Sequence, residues 1–366
     1  MTHPEQRDFE AYQAYLAEVR RIWATDLFAD LKARAASDPP PRDAAEVAAR
    51  VDGTPEAQLF GWFERHLQSL KYSGRLGILP WLRARAAEHA DRIDPALPQG
   101  MCQLDPALEM PAYYRAVDVH QQPGGVWSEA VSGLAYQLGA STTTGRRQPT
   151  RGGQAEDLHM RFARLLRARA GSEVRRIAHL GCGFGKSTLP LARLFPEAEV
   201  VGVDLSAPCL RLAGHDALAE GLPGLRFVQA DAAATGLPDA AFDIVTSTMM
   251  LHEMPPAQIR AVFAEAKRLL RPGGHFVNLD FLPPEDPFLA WVHAGHGQRN
   301  NEPWMRTLGE MDVCAALSEA GLAAAETDGF EEADGARARI GRQWRLPWTV
   351  IAARKPGVPA PQPIAD

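Results

Sequence analysis

A glycine-rich turn is the stretch whose residue types and spacing point most directly to chemistry. Gly181, Gly183 and Gly185 follow the short strand-like run Ile177–Leu180, and a helical pattern begins directly after them. Glycines let a ligand approach the backbone closely and accept positive φ angles. The start of the following helix offers free N–H groups to a polar ligand. The stretch is therefore typical of a strand–turn–helix that binds a nucleotide-like molecule.

Spacing excludes two common nucleotide-binding motifs at this turn. A phosphate-binding loop requires a glycine five positions before the glycine of its Gly-Lys-Ser end, and Leu180 occupies that position. A dinucleotide fingerprint requires a third glycine where Lys186 stands. The remaining pattern is G-x-G-x-G, followed one predicted strand later by Asp204. A carboxylate at that position can accept both hydroxyls of a ribose.

Several segments in a fixed order make the chain resemble the class I S-adenosylmethionine-dependent methyltransferases. Leu180–Gly185 is similar to the first motif of that family, and Val203–Ser206 is similar to the second. Three further similar segments follow in order: Phe227–Ala232, Phe242–Ser247 and Leu269–Gly274. The resemblance implies an α/β fold with a doubly wound, seven-stranded, mostly parallel sheet, preceded here by a mainly helical N-terminal domain. It also implies S-adenosylmethionine as the cofactor.

The resemblance assigns cofactor contacts to residues at the carboxyl ends of the strands. The predicted cofactor-binding residues are Gly181, Gly183, Asp204, Leu205, Asp231, Ala232 and Ser247. By resemblance, the glycines contact the methionine part through their backbone, Asp204 holds the ribose, and Asp231 accepts the adenine amine.

The predicted catalytic residues are His252 and Glu253, which follow the fourth strand of the parallel series. In related folds this loop faces the methyl group. Methyl transfer requires the enzyme to align the nucleophile, to remove its proton where needed and to exclude water. Histidine suits general base duty because its unperturbed pKa lies near the working pH. The alternative is that His252 only positions the cofactor or the loop.

Candidate contacts to the methyl acceptor are Tyr113, Trp127 and Trp291, with Asp280 at the end of the fifth strand. The aromatic side chains could surround an apolar or cationic group, or they could form core beneath a lid.

Two histidines and the cysteines of this chain are candidate metal ligands by residue type. His293 and His296 could share a metal, but no carboxylate or cysteine stands beside them at familiar spacing. The 4 cysteines are scattered, which excludes a zinc ribbon and an iron–sulfur cluster. We therefore predict no metal.

Helical periodicity organises the N-terminal part of the chain. Apolar residues recur at steps of three and four over 8–36, 55–72 and 76–93, which predicts three amphipathic helices. Residues 94–153 are loop-like and rich in Pro, Gly and Gln, and loop segments of such length are often functional. We therefore interpret 1–153 as a helical and loop-rich lid or substrate region, with a structured linker as the alternative for its second half.

Alternating strand and helix patterns fill residues 154–355 and predict a domain that binds S-adenosylmethionine on a parallel sheet. Within it, residues 282–308 are predicted to form an aromatic-rich loop. Residues 356–366 form a Pro-rich tail in this prediction.

Composition and charge limit the classes of partner. The net charge of −6 argues against a general electrostatic grip on nucleic acid. No apolar run approaches the length of a membrane span, and the first residues lack the apolar core of a signal peptide. We therefore expect no membrane partner and a cytoplasmic location. The sequence allows a homodimer without giving a sign of one.

These features together predict a methyltransferase that moves a methyl group from S-adenosylmethionine to an oxygen or nitrogen atom of a small-molecule acceptor. Transfer to carbon is a less favoured version of the same prediction. The alternative from another class is a scaffold or sensor that binds S-adenosylmethionine without transferring the methyl group. An NAD-dependent oxidoreductase is disfavoured because Lys186 occupies the third glycine position.

Overall fold

A sheet of 8 strands forms the centre of the computed structural model, which describes residues 4–36, 38–144, 157–171, 173–331 and 343–357. The strands are β1 Cys102–Gln103, β2 Arg176–Leu180, β3 Glu199–Asp204, β4 Arg226–Gln229, β5 Phe242–Thr248, β6 Leu270–Asp280, β7 Ala323–Phe330 and β8 Trp348–Arg354. Their order across the sheet is β1-β4-β3-β2-β5-β6-β8-β7. The pairs from β1 to β6 are parallel, and β8 lies antiparallel between β6 and β7. The strand order reverses between β2 and β5, which is where ligands bind in sheets of this kind.

The predicted doubly wound, mostly parallel sheet is confirmed, with one strand more than the seven expected. The additional strand is β1, which comes from the segment predicted as loop and pairs in parallel with β4. The N–H of Phe227 donates to the carbonyl of Met101 beside it, at 2.7 Å. Such pairing covers an otherwise exposed strand edge. A strand of two residues carries no alternating pattern that a sequence could reveal.

Helices surround the sheet and build the N-terminal region. They are α1 Pro4–Ile22, α2 Phe28–Ala35, α3 Ala44–Val51, α4 Pro55–Tyr72, α5 Ile78–Ala84, α6 Ala90–Ile93, α7 Ala112–Arg115, α8 Ser132–Thr144, α9 Leu158–Ala170, α10 Thr188–Leu194, α11 Ala207–Ala219, α12 Pro256–Leu269, α13 Pro287–Arg299, α14 Trp304–Gly309 and α15 Val313–Glu319. A π-helical turn, Trp23–Leu27, joins α1 to α2, and 3-10 turns cover Ala86–His89, Val119–Gln121 and Leu251–Glu253. Within the described ranges, no helix combines the length and the apolar character needed to cross a bilayer.

The predicted loop over 282–308 is wrong, because this stretch contains α13 and α14. The carboxylate of Asp286 accepts a hydrogen bond from the N–H of Leu289 at 2.8 Å and caps α13. The buried face of α13 includes His293 and Gly297, so the helix lacks the continuous apolar stripe by which amphipathic helices are found in a sequence.

Three further differences lie in the N-terminal region. The helix predicted over 76–93 is divided into α5, a 3-10 turn and α6, and the segment predicted as loop contains the 13-residue helix α8. Helix α8 packs against α5 and α11, and burial on several sides again hides its period. The short helix α3 begins at the capping residue Asp43 and has no counterpart in the prediction.

The N-terminal helices share a hydrophobic core with α13. Trp23, Phe28 and Phe60 pack in one cluster with Phe288 and Leu289. The predicted boundary between 153 and 154 lies outside the described residues, as do residues 358–366 of the predicted tail.

Candidate functional site

A cavity of about 260 Å³ lies at the carboxyl ends of the parallel strands. The glycine turn after β2, Asp204 and Leu205 after β3, Asp231 after β4 and Thr248 at the end of β5 form its floor. The N-terminal region supplies the opposite wall, with Gln68, Lys71, Tyr72, Tyr113, Tyr114, Val119, His120, Val126, Tyr136 and Ala140. The cavity is therefore assembled from both halves of the chain.

The glycine turn needs glycine for two separate reasons. Gly181 and Gly183 have φ angles of 63° and 51°, which disfavour any residue with a Cβ. A Cβ on Gly181 would also lie 2.5 Å from the sulfur of Met250. The backbone at this turn can therefore lie directly against a ligand in the cavity.

We predict that Gly181→Ala weakens binding of S-adenosylhomocysteine by at least about tenfold, because left-handed backbone costs alanine roughly 1–2 kcal/mol and Met250 must also move. Gly171→Ala is the matched control, since Gly171 has a φ of 80° with nothing within 4 Å of an added Cβ. Calorimetric titration of both variants tests this. Equal affinities of the two variants would contradict a role of the turn in ligand contact.

The carboxylate of Asp204 accepts hydrogen bonds from the backbone of two turns, one after β2 and one after β3. Its Oδ2 accepts from the N–H of Gly183 at 2.7 Å, and its Oδ1 accepts from the N–H of Ser206 at 2.8 Å. Burial raises the pKa of Asp204 to about 6, although these two hydrogen bonds oppose the rise. Each carboxylate oxygen retains a lone pair, so Asp204 can still accept hydroxyl groups.

Asp231 is also held in place at the cavity wall. Its Oδ1 accepts from the N–H of Ala233 at 2.8 Å and from Nε2 of Gln258 at 2.9 Å. Leu205 and Ala232 line the cavity beside it. The structure thus brings six of the seven predicted cofactor residues together.

Ser247 is the seventh predicted cofactor residue, and it lies away from the cavity. Its side chain is fully buried and hydrogen-bonds Oδ1 of Asn278. Alternate residues of a strand point to opposite faces, and the neighbouring Thr248 is the one that lines the cavity.

His252 does not lie on the cavity wall. It is 2% exposed, and its Nδ1 lies 2.5 Å from Oδ1 of Asp280. Burial alone would lower the pKa of His252, but the carboxylates of Asp280, Glu302 and Glu253 raise it to about 9. The raised pKa favours the protonated ring, which has no lone pair with which to accept a proton. This arrangement fits the alternative in which His252 positions the loop.

Asp280 is fully buried and serves the same turn. Besides His252, it accepts from the N–H groups of Met250 at 3.1 Å, Leu251 at 2.8 Å and Phe281 at 2.8 Å. These hydrogen bonds hold the turn after β5. Asp280 does not line the cavity, so it does not lie where a methyl acceptor would bind.

Glu253 lines the cavity and is joined to a histidine that sequence reasoning did not assign to the site. His120 Nε2 lies 3.1 Å from Oε1 of Glu253, and His120 Nδ1 lies 2.8 Å from Oε1 of Glu302. The ring stacks on Tyr136 with centroids 5.6 Å apart. Burial would lower the pKa of His120, but the two glutamates raise it to about 10. A single histidine in an irregular segment gave no sequence signal for this role.

We predict that the free energy of unfolding falls as pH rises from 7 to 10. The folded pKa values of His252 and His120, about 9 and about 10, lie above the unfolded value of 6.5, so their stabilisation is complete below pH 6.5 and is lost as pH rises through 9 and 10. Each histidine contributes a slope of at most about 1.4 kcal/mol per pH unit. Denaturant unfolding across this range should show a shallower slope for His120→Gln than for the control His66→Gln, and equal slopes would refute the assignment.

The predicted acceptor contacts separate in the structure. Tyr113 lines the cavity, whereas Trp127 and Trp291 do not. Trp291 lies on α13, where its Nε1 donates to Oδ1 of Asp52 at 2.8 Å. It belongs to the contact between α13 and the N-terminal helices, so it is structural rather than part of the cavity.

The histidines of α13 are packed rather than clustered. His296 Nδ1 lies 2.6 Å from Oε1 of Glu64, and His293 is buried. Across the part of the chain that the structure describes, no group of three or more His, Cys, Asp and Glu side chains is arranged to hold a metal ion.

Part of this chain is similar to known methyltransferases. Residues 177–274 match the family model described as a methyltransferase domain. A demethylmenaquinone methyltransferase of Thermus thermophilus is 39% identical over 125 residues, which cover 34% of this chain and 56% of that protein. A phthiotriol/phenolphthiotriol dimycocerosates methyltransferase of Mycobacterium tuberculosis is 33% identical over 117 residues, which cover 32% of this chain and 41% of that protein.

A solved structure, that of the YcgJ protein of Bacillus subtilis, is 21% identical with a TM-score of 0.40, and the match covers 54% of this chain and 98% of that one. The chain spans about half the length of the curated relatives it matches.

Proposed function

Since residues 177–274 carry a domain of the class I S-adenosylmethionine-dependent methyltransferase family, we propose that the protein binds S-adenosylmethionine in this cavity and methylates a small molecule. The observation that carries the proposal is the convergence of the glycine turn, Asp204 and Asp231 on one cavity at the switch point of the sheet. These groups suit a ligand that combines a ribose with an adenine amine.

The residues present fit this cofactor in the following way. The turn at Gly181 and Gly183 would lie against the methionine part, Asp204 would accept the ribose hydroxyls, and Asp231 would accept the adenine amine. Leu205 would pack on the adenine, with Ala232 beside it. S-adenosylmethionine supplies a methyl group on a good leaving group, so this chain has to align the acceptor, take its proton where needed and exclude water.

Glu253 is the residue that we assign to proton transfer. It lines the cavity, and a carboxylate there can take a proton from a hydroxyl or amine at the moment of attack. His252 would act indirectly, because its salt bridge to Asp280 fixes the turn that carries Glu253. The burial of His252 and its contact with Asp280 keep it off the cavity wall, which favours Glu253 as the base.

The wall residues favour an apolar acceptor that carries a ring. The aromatic and thioether side chains that line the cavity are Tyr72, Tyr113, Tyr114, Tyr136, Phe184, Met249, Met250 and Met254. Such side chains bind flat, apolar molecules and leave a few polar groups to orient the reacting atom. Demethylmenaquinone, in the name of the Thermus relative, is an acceptor of this chemical class. Oxygen and nitrogen remain the proposed target atoms, with carbon as the less favoured one.

Two measurements test the proposal in sequence. Calorimetric titration should show binding of S-adenosylmethionine and S-adenosylhomocysteine to the purified protein. Incubation with methyl-labelled S-adenosylmethionine and a panel of phenols, quinols and aromatic amines should then transfer label to at least one acceptor. Binding of neither cofactor form would refute the proposal. Binding without transfer to any acceptor would favour the alternative, a scaffold or sensor.

A further inference from the structure

The N-terminal wall of the cavity contains a segment, Ala112–Val126, that we call the covering segment. Its residues Tyr113, Tyr114, Val119, His120 and Val126 line the cavity opposite the sheet. At one end, the carbonyl of Val126 accepts from Oγ of Ser206 at 2.7 Å. The covering segment therefore lies between the cavity and the outside on this side of the molecule.

A short connector, residues 299–302, begins at the last residue of α13 and contacts the 3-10 turn of the covering segment. The amide of Gln121 donates to the carbonyl of Arg299 at 3.0 Å, and the amide of Asn301 donates to the carbonyl of Asp118 at 3.2 Å. Between these contacts lies the charged pair of His120 and Glu302, at 2.8 Å. The side chain of Glu302 is 4% exposed and that of His120 is 19% exposed, so the carboxylate of the pair is buried and the ring is half-buried.

The docked conformation carries backbone strain. His120 and Gln121 have φ angles of 57° and 59°, and Asn301 on the connector has 57°. Left-handed backbone is unfavourable for residues other than glycine and persists where surrounding contacts impose it. The hydrogen bonds and the charged pair between the covering segment and the connector can impose it here. Their loss would let the turn relax away from the connector.

Glu302 also reaches the turn after β5. Its Oε2 lies 3.9 Å from Nε2 of His252, while its Oε1 contacts His120, whose other nitrogen contacts Glu253. One buried carboxylate thus joins the covering segment to the turn that carries the proposed proton acceptor. Three parts of the chain that are distant in sequence meet at this single side chain.

We propose that Glu302 and His120 are positioning residues of the methyl transfer, which hold the covering segment closed over the cofactor and keep Glu253 at the cavity wall. This inference rests on the proposed function. Neither residue belongs to the segments that resemble methyltransferase motifs. The covering segment forms one wall of the cavity, so the His120–Glu302 pair that holds it should slow the dissociation of a ligand bound there.

Stopped-flow dissociation of S-adenosylhomocysteine from the full chain tests the inference without an acceptor. Glu302→Gln should release the ligand about tenfold faster, because breaking a buried charge pair acts mainly on dissociation. Hydrogen exchange of the covering segment in the bound state should accelerate in the same variant. Glu310→Gln is the matched control, since Glu310 makes an exposed ion pair with Arg306 in the same part of the chain.

A double-mutant cycle separates positioning from general loss of structure. His120→Gln should also speed dissociation, and the effect in the double variant should be smaller than the product of the two single effects, because both changes remove the shared His120–Glu302 contact. Multiplied effects in the double variant, or a lowered melting temperature with unchanged dissociation, would overturn the inference. If Glu302→Gln does not fold, His120→Gln alone gives the decisive rate. Failure of the wild-type protein to bind the ligand would instead overturn the proposed function and this inference with it.

Discussion

Asp204→Ala is expected to reduce the affinity for S-adenosylmethionine and S-adenosylhomocysteine by a factor of about 100 or more. The carboxylate would accept the ribose hydroxyls, and it holds the glycine turn through the N–H of Gly183. Hydrogen bonds to a charged group contribute about 1.5–3 kcal/mol each, so loss of two is enough for this change. Calorimetric titration measures it directly.

The same residue predicts a pH dependence of binding. Because burial raises the pKa of Asp204 to about 6, affinity should fall as pH falls through 6 and the carboxylate takes a proton. The effect on stability has the opposite sign, since a raised carboxyl pKa adds stability below its unfolded value of 3.8 and loses it as pH rises through 6. Weaker binding at pH 5 would therefore not come from unfolding driven by this group.

Two variants serve as controls for Asp204. Asp204→Asn should show weak binding with no change between pH 5 and 7 (the group that titrates is gone). Asp105→Ala removes an exposed aspartate near the same edge of the sheet and should bind as the wild type does. If Asp204→Ala bound S-adenosylmethionine as tightly as the wild type does, Asp204 would not hold the cofactor, and the main support for the proposed function would be lost.

Asp280→Ala should produce the largest loss of stability among the site residues. The change leaves three backbone N–H groups and the ring of His252 without their shared acceptor in the interior. Removal of one partner from a buried ion pair costs about 3–5 kcal/mol, which corresponds to a melting temperature roughly 10 °C lower in a protein of this size. Thermal unfolding followed by circular dichroism gives the value.

The loss of stability in Asp280→Ala can be compared with that caused by removing a helix cap nearby in the sequence. Asp286→Ala removes a single capping hydrogen bond at the start of α13 and should cost about 1 kcal/mol. If Asp280→Ala melts within a degree or two of Asp286→Ala, Asp280 is not the support of the turn after β5. That result would favour the sequence-based prediction that Asp280 contacts the methyl acceptor.

The position of the cavity floor followed from the sequence because its determinants are local. The glycines after β2 and the acidic residues at the ends of β3 and β4 are fixed by the backbone conformation and by strand register over a few residues each. Parallel strands then bring these ends to one edge of the sheet. Thr248 lines the cavity and the neighbouring Ser247 does not, because one residue along a strand is enough to turn a side chain to the other face.

The surroundings of His252 and Trp291 did not follow from the sequence. His252 has the residue type of a general base, but its protonation and position depend on Asp280 and Glu302, which lie 28 and 50 residues away from it along the chain. Trp291 has the residue type of an aromatic binding wall, but α13 turns it toward Asp52. Residue type defines what a side chain can do, and its neighbours decide whether it does so.

The sequence by itself determined the sheet, the glycine turn and the carboxylates at the strand ends, because short-range periodicity and turn geometry encode them. Only the tertiary structure decided that His120, Glu302 and Glu253 meet, and that Tyr72 and Tyr136 of the N-terminal helices close the cavity. His120 is 133 residues from Glu253 and 182 residues from Glu302 along the chain, and no local pattern records which of many distant side chains will be neighbours. Burial then sets their charges, since the pKa of a histidine depends on the carboxylates packed around it.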